Sequence, residues 1–161
     1  MQLNFATFSP CSKYRYELFR DLGMVGPTLD AVMLNPSTAD ATKDDPTIRR
    51  LVGFAKAWGH GALRVFNLFA IRATDPRVML AADDPVGPEN DDYIGRALTL
   101  AKAEGRYALA AWGSHGGHRC RDFHVTHRLV EGVQWKCLGR THGGHPKHPL
   151  YVPSNTAAKD F

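Results

Sequence analysis

The chain has 161 residues, 43% of them hydrophobic and 22% charged, which suits one soluble globular domain spanning residues 1–161. A membrane span is excluded because no apolar run approaches about 18 residues, and the first ten residues lack the basic-then-apolar layout of a secretory leader. The formal charge of +4 and a pI near 9.1 permit contact with phosphate without demanding it.

In chain order, the segment from Asn4 to Leu22 comes first. Tyr14, Tyr16 and Leu18 alternate there, which predicts a short hairpin or edge strand. Four short apolar runs then read as strands: Ala31–Leu34, Leu63–Phe66, Tyr107–Ala111 and Val133–Leu138. Each is bounded by Gly, Pro, Asn or Asp, as strands usually are. Three helical patterns separate them. Asp45 can cap the first, Pro46 fits its first helical position, and Gly59 ends it. The second runs from about Asn90 to Glu104 and the third from about Gly117 to Glu131. The tail from Pro149 to Phe161 reads as a loop. Alternating strands and helices predict an α/β fold. The expected form is a three-layer sandwich with a four-stranded parallel sheet, plus the N-terminal hairpin or edge strand. Its crossovers are right-handed.

Open parallel sheets bind ligands at the carboxyl ends of their strands. The first such end is Leu34-Asn35-Pro36-Ser37-Thr38-Ala39-Asp40. Pro36 biases Asn35 toward an extended geometry and so holds its side chain. A held amide can orient a water or read a base edge, with Pro36 and Ser37 beside it. The alternative is a turn that uses Asn, Pro and Ser for backbone reasons alone. The second end carries Asn67, which interrupts an apolar run and offers a donor and an acceptor to a planar ligand. Phe69 is a candidate to stack on that ligand or an ordinary core ring. Arg72 is a candidate phosphate contact.

The third end, Trp112-Gly113-Ser114-His115-Gly116-Gly117-His118, is glycine-rich and opens a helix, a position that favours anions. It lacks the Gly-Lys-Ser/Thr of a phosphate loop and the spaced glycines of a dinucleotide fingerprint. No cofactor is expected. The fourth end, Thr141 to Tyr151, holds His142, His145 and His148. Their spacing matches no structural zinc pattern, so no metal is expected. Cys11, Cys120 and Cys137 form no metal or disulfide spacing and read as free packing thiols in a reducing compartment, the cytoplasm.

Several motifs together resemble a widespread bacterial and phage family of unknown function. They are Leu34–Asp40, Asp44-Asp45-Pro46-Thr47, Asn67-Leu68-Phe69, Asp84–Asn90, Ala111-Trp112-Gly113 and His145–Tyr151. More distantly, the chain resembles the uracil-DNA glycosylase superfamily, a parallel-sheet α/β fold with two signature loops. Leu34-Asn35-Pro36-Ser37 is similar to the Asn-Pro-Gly segment of its mismatch-specific branch, with Ser37 in place of glycine. That likeness implies that Asn35 positions the attacking water and that Asn67 reads the base. It also implies that His145 or His148 stands near the base, in a loop that enters the duplex. No aspartate occupies the family's water-activating position, and no iron–sulfur cysteine set is present.

The leading expectation is therefore a DNA base-recognising protein that hydrolyses an N-glycosidic bond of a damaged or modified base. Asn35, His145 and His148 carry the chemistry, and Pro36, Ser37, Asn67, Phe69, Arg72 and Lys147 hold the substrate. DNA or a nucleotide is the expected partner, with no membrane contact. Two alternatives remain: a non-catalytic nucleic-acid or nucleotide-binding module, and an enzyme acting on free nucleosides.

Overall fold

A computed structural model describes residues 3–161, which form one seven-stranded mixed sheet with helices on both faces. The strands are β1 (Asn4–Phe8), β2 (Arg15–Asp21), β3 (Thr28–Met33), β4 (Ala62–Asn67), β5 (Ala108–Ala110), β6 (Trp135–Cys137) and β7 (Lys159–Asp160). They lie in the order β1-β2-β4-β3-β5-β6-β7. β4, β3, β5 and β6 run parallel to their neighbours among themselves. β2 is antiparallel to β4, β1 to β2, and β7 to β6. The sheet is thus larger than the four strands expected, and mixed rather than purely parallel. The difference lies at its edges. The N-terminal hairpin covers one edge of the parallel strands, and the tail, expected as a loop, supplies β7 on the other. Covering edges in this way leaves fewer backbone groups open to pairing with another chain.

The four expected strands and the first two expected helices are present. α1 (Pro46–Ala57) begins where Asp45 accepts a hydrogen bond from the Ile48 amide at 2.9 Å. Ile48, Leu51, Phe54 and Ala55 pack on one face of the sheet with Ala31, Met33, Leu63 and Val65. α3 (Asn90–Ala103) packs on the other face with Val32, Phe66 and Ala110. The strand residues divide between the two faces by simple alternation. Between these helices lies α2 (Pro76–Ala81), which the periodicity did not predict. Its start repeats that of α1: Asp75 accepts from the Arg77 amide at 2.9 Å and a proline follows. That Asp-Pro signature was the available signal.

The third expected helix is broken. A 3₁₀ segment (Ser114–Cys120), a short α4 (Arg121–Phe123) and a π turn (His124–Leu129) replace it. Arg119 and Cys120 both sit in the left-handed region with φ of 54°, at a cost of about 1–3 kcal/mol each. Long side chains anchor the segment to distant carbonyls. Arg119 donates to Ala82 and Asp83, and Arg121 to Leu68. Gly116 lies against Trp112, where a Cβ would stand 2.2 Å from Cδ1. Tertiary bonds override helical propensity here. Among the described residues no helix is long and apolar enough to cross a membrane.

One buried ion network ties the strands together. Asp30 of β3 is fully buried and pairs in register with Arg64 of β4. Arg64 Nε donates to its Oδ1 at 2.6 Å and Arg106 Nη1 to its Oδ2 at 2.5 Å. Removing one member of such a network leaves uncompensated charge. Asp30→Asn is therefore expected to lower the unfolding free energy by about 3–5 kcal/mol, measured by urea unfolding. A loss below about 1 kcal/mol would show that the network is dispensable.

Candidate functional site

A cleft of about 490 Å³ opens at the carboxyl ends of β3, β4 and β5, within the range of about 300–1,000 Å³ that holds small ligands. β3 delivers Asn35 and Ser37, β4 delivers Asn67, and the β5 loop delivers Trp112 to His115. The start of α1 adds Asp45, β2 adds Arg15, and the last loop adds His148, Leu150 and Tyr151.

Asn35 ties two of these loops together. Its Nδ2 donates to the Ala73 carbonyl at 2.7 Å and to the Pro36 carbonyl at 3.2 Å. The Pro36 carbonyl also accepts from the Ala73 amide at 2.9 Å. The amide nitrogen is thus committed to the protein, which leaves Oδ1 as the group Asn35 offers a ligand. Asn67 is the reverse case. It is 1% exposed, and its Nδ2 has no partner. Its own carbonyl is held by Asn90 Nδ2 at 2.9 Å. An orphaned buried donor costs about 1–3 kcal/mol unless something accepts from it.

Arg15 is 2% exposed. Its Nη1 donates to the Ala39 carbonyl at 2.8 Å, while Nε has no partner. Burial draws its pKa down to about 10, opposed by the Asp45 charge, so it stays cationic at neutral pH. Asp45 accepts from Ile48 through Oδ1 and makes no ion pair within 4 Å with a described residue. His148 is half-buried, and its Nδ1 accepts from the Leu150 amide at 3.2 Å. That bond puts the proton of the neutral ring on Nε2. Burial holds the ring below the ordinary histidine value, opposed by Asp45. The cleft therefore offers one carboxylate, the neutral His148 donor, a second and exposed imidazole from His115, two amides and one buried cation.

Residues 15–150 match a family described as "Protein of unknown function (DUF1643)". The chain belongs to this family. No curated protein and no solved structure matches it. The region shared with DUF1643 runs from Arg15 to Leu150 and so contains nearly every cleft residue named above.

Of the residues expected at the site of this DUF1643 protein, Asn35, Ser37, Asn67 and His148 meet in the cleft. The others do not line it. Pro36 is buried and acts through its carbonyl. Phe69 is not a stacking platform. It is fully buried in the core, its ring centroid 5.7 Å from that of His118. His145 closes a turn with Thr141, each bonding to the other. Arg72 is exposed over the Phe8 ring and donates to Ser12, in a neighbouring groove that shares Ser37 with the cleft. Lys147 is exposed, and only its backbone is fixed, by Gly139. Among the described residues no group of three His, Cys, Asp or Glu side chains could hold a metal ion.

Sequence reasoning missed Arg15 and Asp45 as cleft residues. Arg15 falls between Tyr14 and Tyr16 on the opposite face of a strand, and a charge there signals a buried partner or ligand. Asp45 was legible as a helix cap, and nothing local placed it in one cleft with Asn67.

The histidines set an acid dependence. His60 and His148 are both held below the ordinary value of 6.5 by burial. Below that value the unfolded chain binds more protons than the folded one, so stability is lost as pH falls. Unfolding free energy is expected to drop between pH 7 and pH 5 in urea titrations. His148→Gln should flatten that slope, and an unchanged slope would show that His148 is not held neutral.

Proposed function

We propose that this protein binds a nucleobase-bearing strand of DNA and hydrolyses the N-glycosidic bond of one extruded nucleotide. The observation that carries the reading is convergence: Asn35, Asn67, Asp45 and His148 line one cleft although they come from four separate segments. The Asn-Pro-Ser motif and the late His-Pro segment, which resemble those of the uracil-DNA glycosylase superfamily, both contribute residues to its lining. An enzyme acting on a base in DNA takes that base out of the stack and into such a pocket.

In this reading Asn35 Oδ1 and the Asp45 carboxylate accept the hydrogens of a water. Its oxygen forms a bond to the sugar C1′ as the C1′–N bond breaks. The bonding pair passes to the base, Asp45 takes the water proton, and His148 Nε2–H donates to the charge that develops on the base. The base then takes up a proton, so the products are an abasic sugar and the free neutral base. Asp45 supplies the carboxylate that the Asn-Pro-Ser motif itself lacks. Asn67 reads the base edge through its unpaired Nδ2. Leu150 and Tyr151 are 44% and 81% exposed beside the cleft, an apolar pair suited to filling the gap left in the duplex. Arg72, in the groove that shares Ser37 with the cleft, and the exposed Lys147 hold phosphates.

The test is incubation with duplexes containing uracil, hypoxanthine or hydroxymethyluracil, followed by strand scission at abasic sites. Release of at least one base is expected. Asn35→Ala and Asp45→Asn should each reduce it by about a hundredfold or more with the fold intact by circular dichroism. Absence of base release from every duplex by the folded protein would exclude the reading.

A further inference from the structure

Six arginines of this chain are buried or half-buried; four of them have a carboxylate, and a fifth, Arg50, spends its guanidinium on the Pro149 and Val152 carbonyls. Arg20 bonds Asp44 at 2.8 Å, Arg64 and Arg106 share Asp30, and Arg121 bonds Asp91. Arg15 is the fully buried arginine left without a carboxylate: among the described residues no acidic side chain lies within ion-pair distance of it. It makes one side-chain hydrogen bond, to the Ala39 carbonyl, and its Nε is left over. Arg15 lines the cleft, as does Asn67, whose buried Nδ2 is also left over. Both unused groups are donors. The start of the twelve-residue helix α1 opens on the same space through Asp45, Thr47 and Ile48, which brings the positive end of its dipole to the cleft. Asp45 itself is the opposing charge there, beyond 4 Å from Arg15 and engaged in capping Ile48.

Buried charges are normally paired. A buried cation that the protein declines to pair, beside a second unused donor in an open cleft, is a place prepared for an anionic acceptor. We infer that the floor of the cleft is an oxyanion subsite built on Arg15 and Asn67, and that the ligand's deep end carries a phosphate or a carboxylate group. The inference rests on the nucleobase reading only for the remainder of the ligand. With a base edge at Asn67, that ligand is a base bearing an acidic substituent; a nucleotide presenting its terminal phosphate to the subsite is the other source of the anion, which the test separates. Both place a planar anion or a compact oxyanion against a guanidinium, the geometry in which arginine outperforms lysine.

Inorganic phosphate is the first probe, titrated into the wild-type protein by isothermal calorimetry at low ionic strength. Saturable binding is expected, weakened at least about tenfold in Arg15→Met and partly retained in Arg15→Lys. Asn67→Asp, which sets a carboxylate beside the subsite, should weaken binding similarly and serves if Arg15→Met does not fold. Two ligand pairs then identify the source of the anion: uridine 5′-monophosphate against uridine, and 5-carboxyuracil against uracil. The charged member of at least one pair should bind at least about tenfold tighter, and the advantage should vanish in the variant. Phosphate binding that depends on Arg15 while no uracil compound binds would keep the subsite and remove the nucleobase reading. Failure of phosphate to bind the folded wild-type protein, or equal binding by wild type and both variants, would overturn the inference.

Discussion

The parallel register of β3 against β4 is the constraint on which the site depends. It sets Met33 level with Asn67, and the ladder continues past the strands as the Leu68 amide donates to Met33 and the Phe69 amide to Leu34. Two chain segments more than thirty residues apart in sequence therefore leave the sheet side by side. Asn35 follows immediately and clamps them by donating across to Ala73. Because strand side chains alternate, a slip of one residue in this pairing would send Asn67 to the opposite face. The cleft would lose its deep amide while every helix could remain in place.

The same sheet distributes its charges unevenly. Toward the amino-terminal half of β3, Asp30 satisfies two arginines at once, and the network is closed. At the carboxyl end, Arg15 arrives from the antiparallel strand β2 with its amide bonded to Ala70 and its guanidinium unpaired. The first arrangement stabilises the fold. The second leaves an electrostatic demand that a ligand can meet. Preorganised donors of this kind act most strongly where water is scarce, since their dipoles are fixed before a ligand arrives. The edge hairpin, peripheral by topology, thus becomes part of the site.

The helix that failed to form shows why local pattern has limits. Residues 117–131 carry a helical period, yet Gly116 must lie on Trp112, and Arg119 and Arg121 reach carbonyls near residues 68 and 82–83. These attachments come from the opposite part of the fold, and no periodicity within the segment encodes them. The tail is similar: Lys159 and Asp160 pair with β6, and the Phe161 ring packs edge-on to Trp112. Two-residue pairing of exposed polar residues has no sequence signature.

Alternating apolar runs and capped helices were enough to read the central strands, α1, α3 and the N-terminal hairpin, because these depend on spacing and caps within a few residues. The same logic marked Asn35, Asn67 and the His-Pro segment, since polar groups that end buried strands stand out against their neighbours. Tertiary structure alone decided which of them meet. It put His148 rather than His145 in the cleft, moved Phe69 into the core, left Arg72 and Lys147 outside the lining, and brought Arg15 and Asp45 in. The physical reason is that convergence is set by strand register and crossover packing, which join residues far apart in the chain, whereas sequence pattern reports only on neighbours.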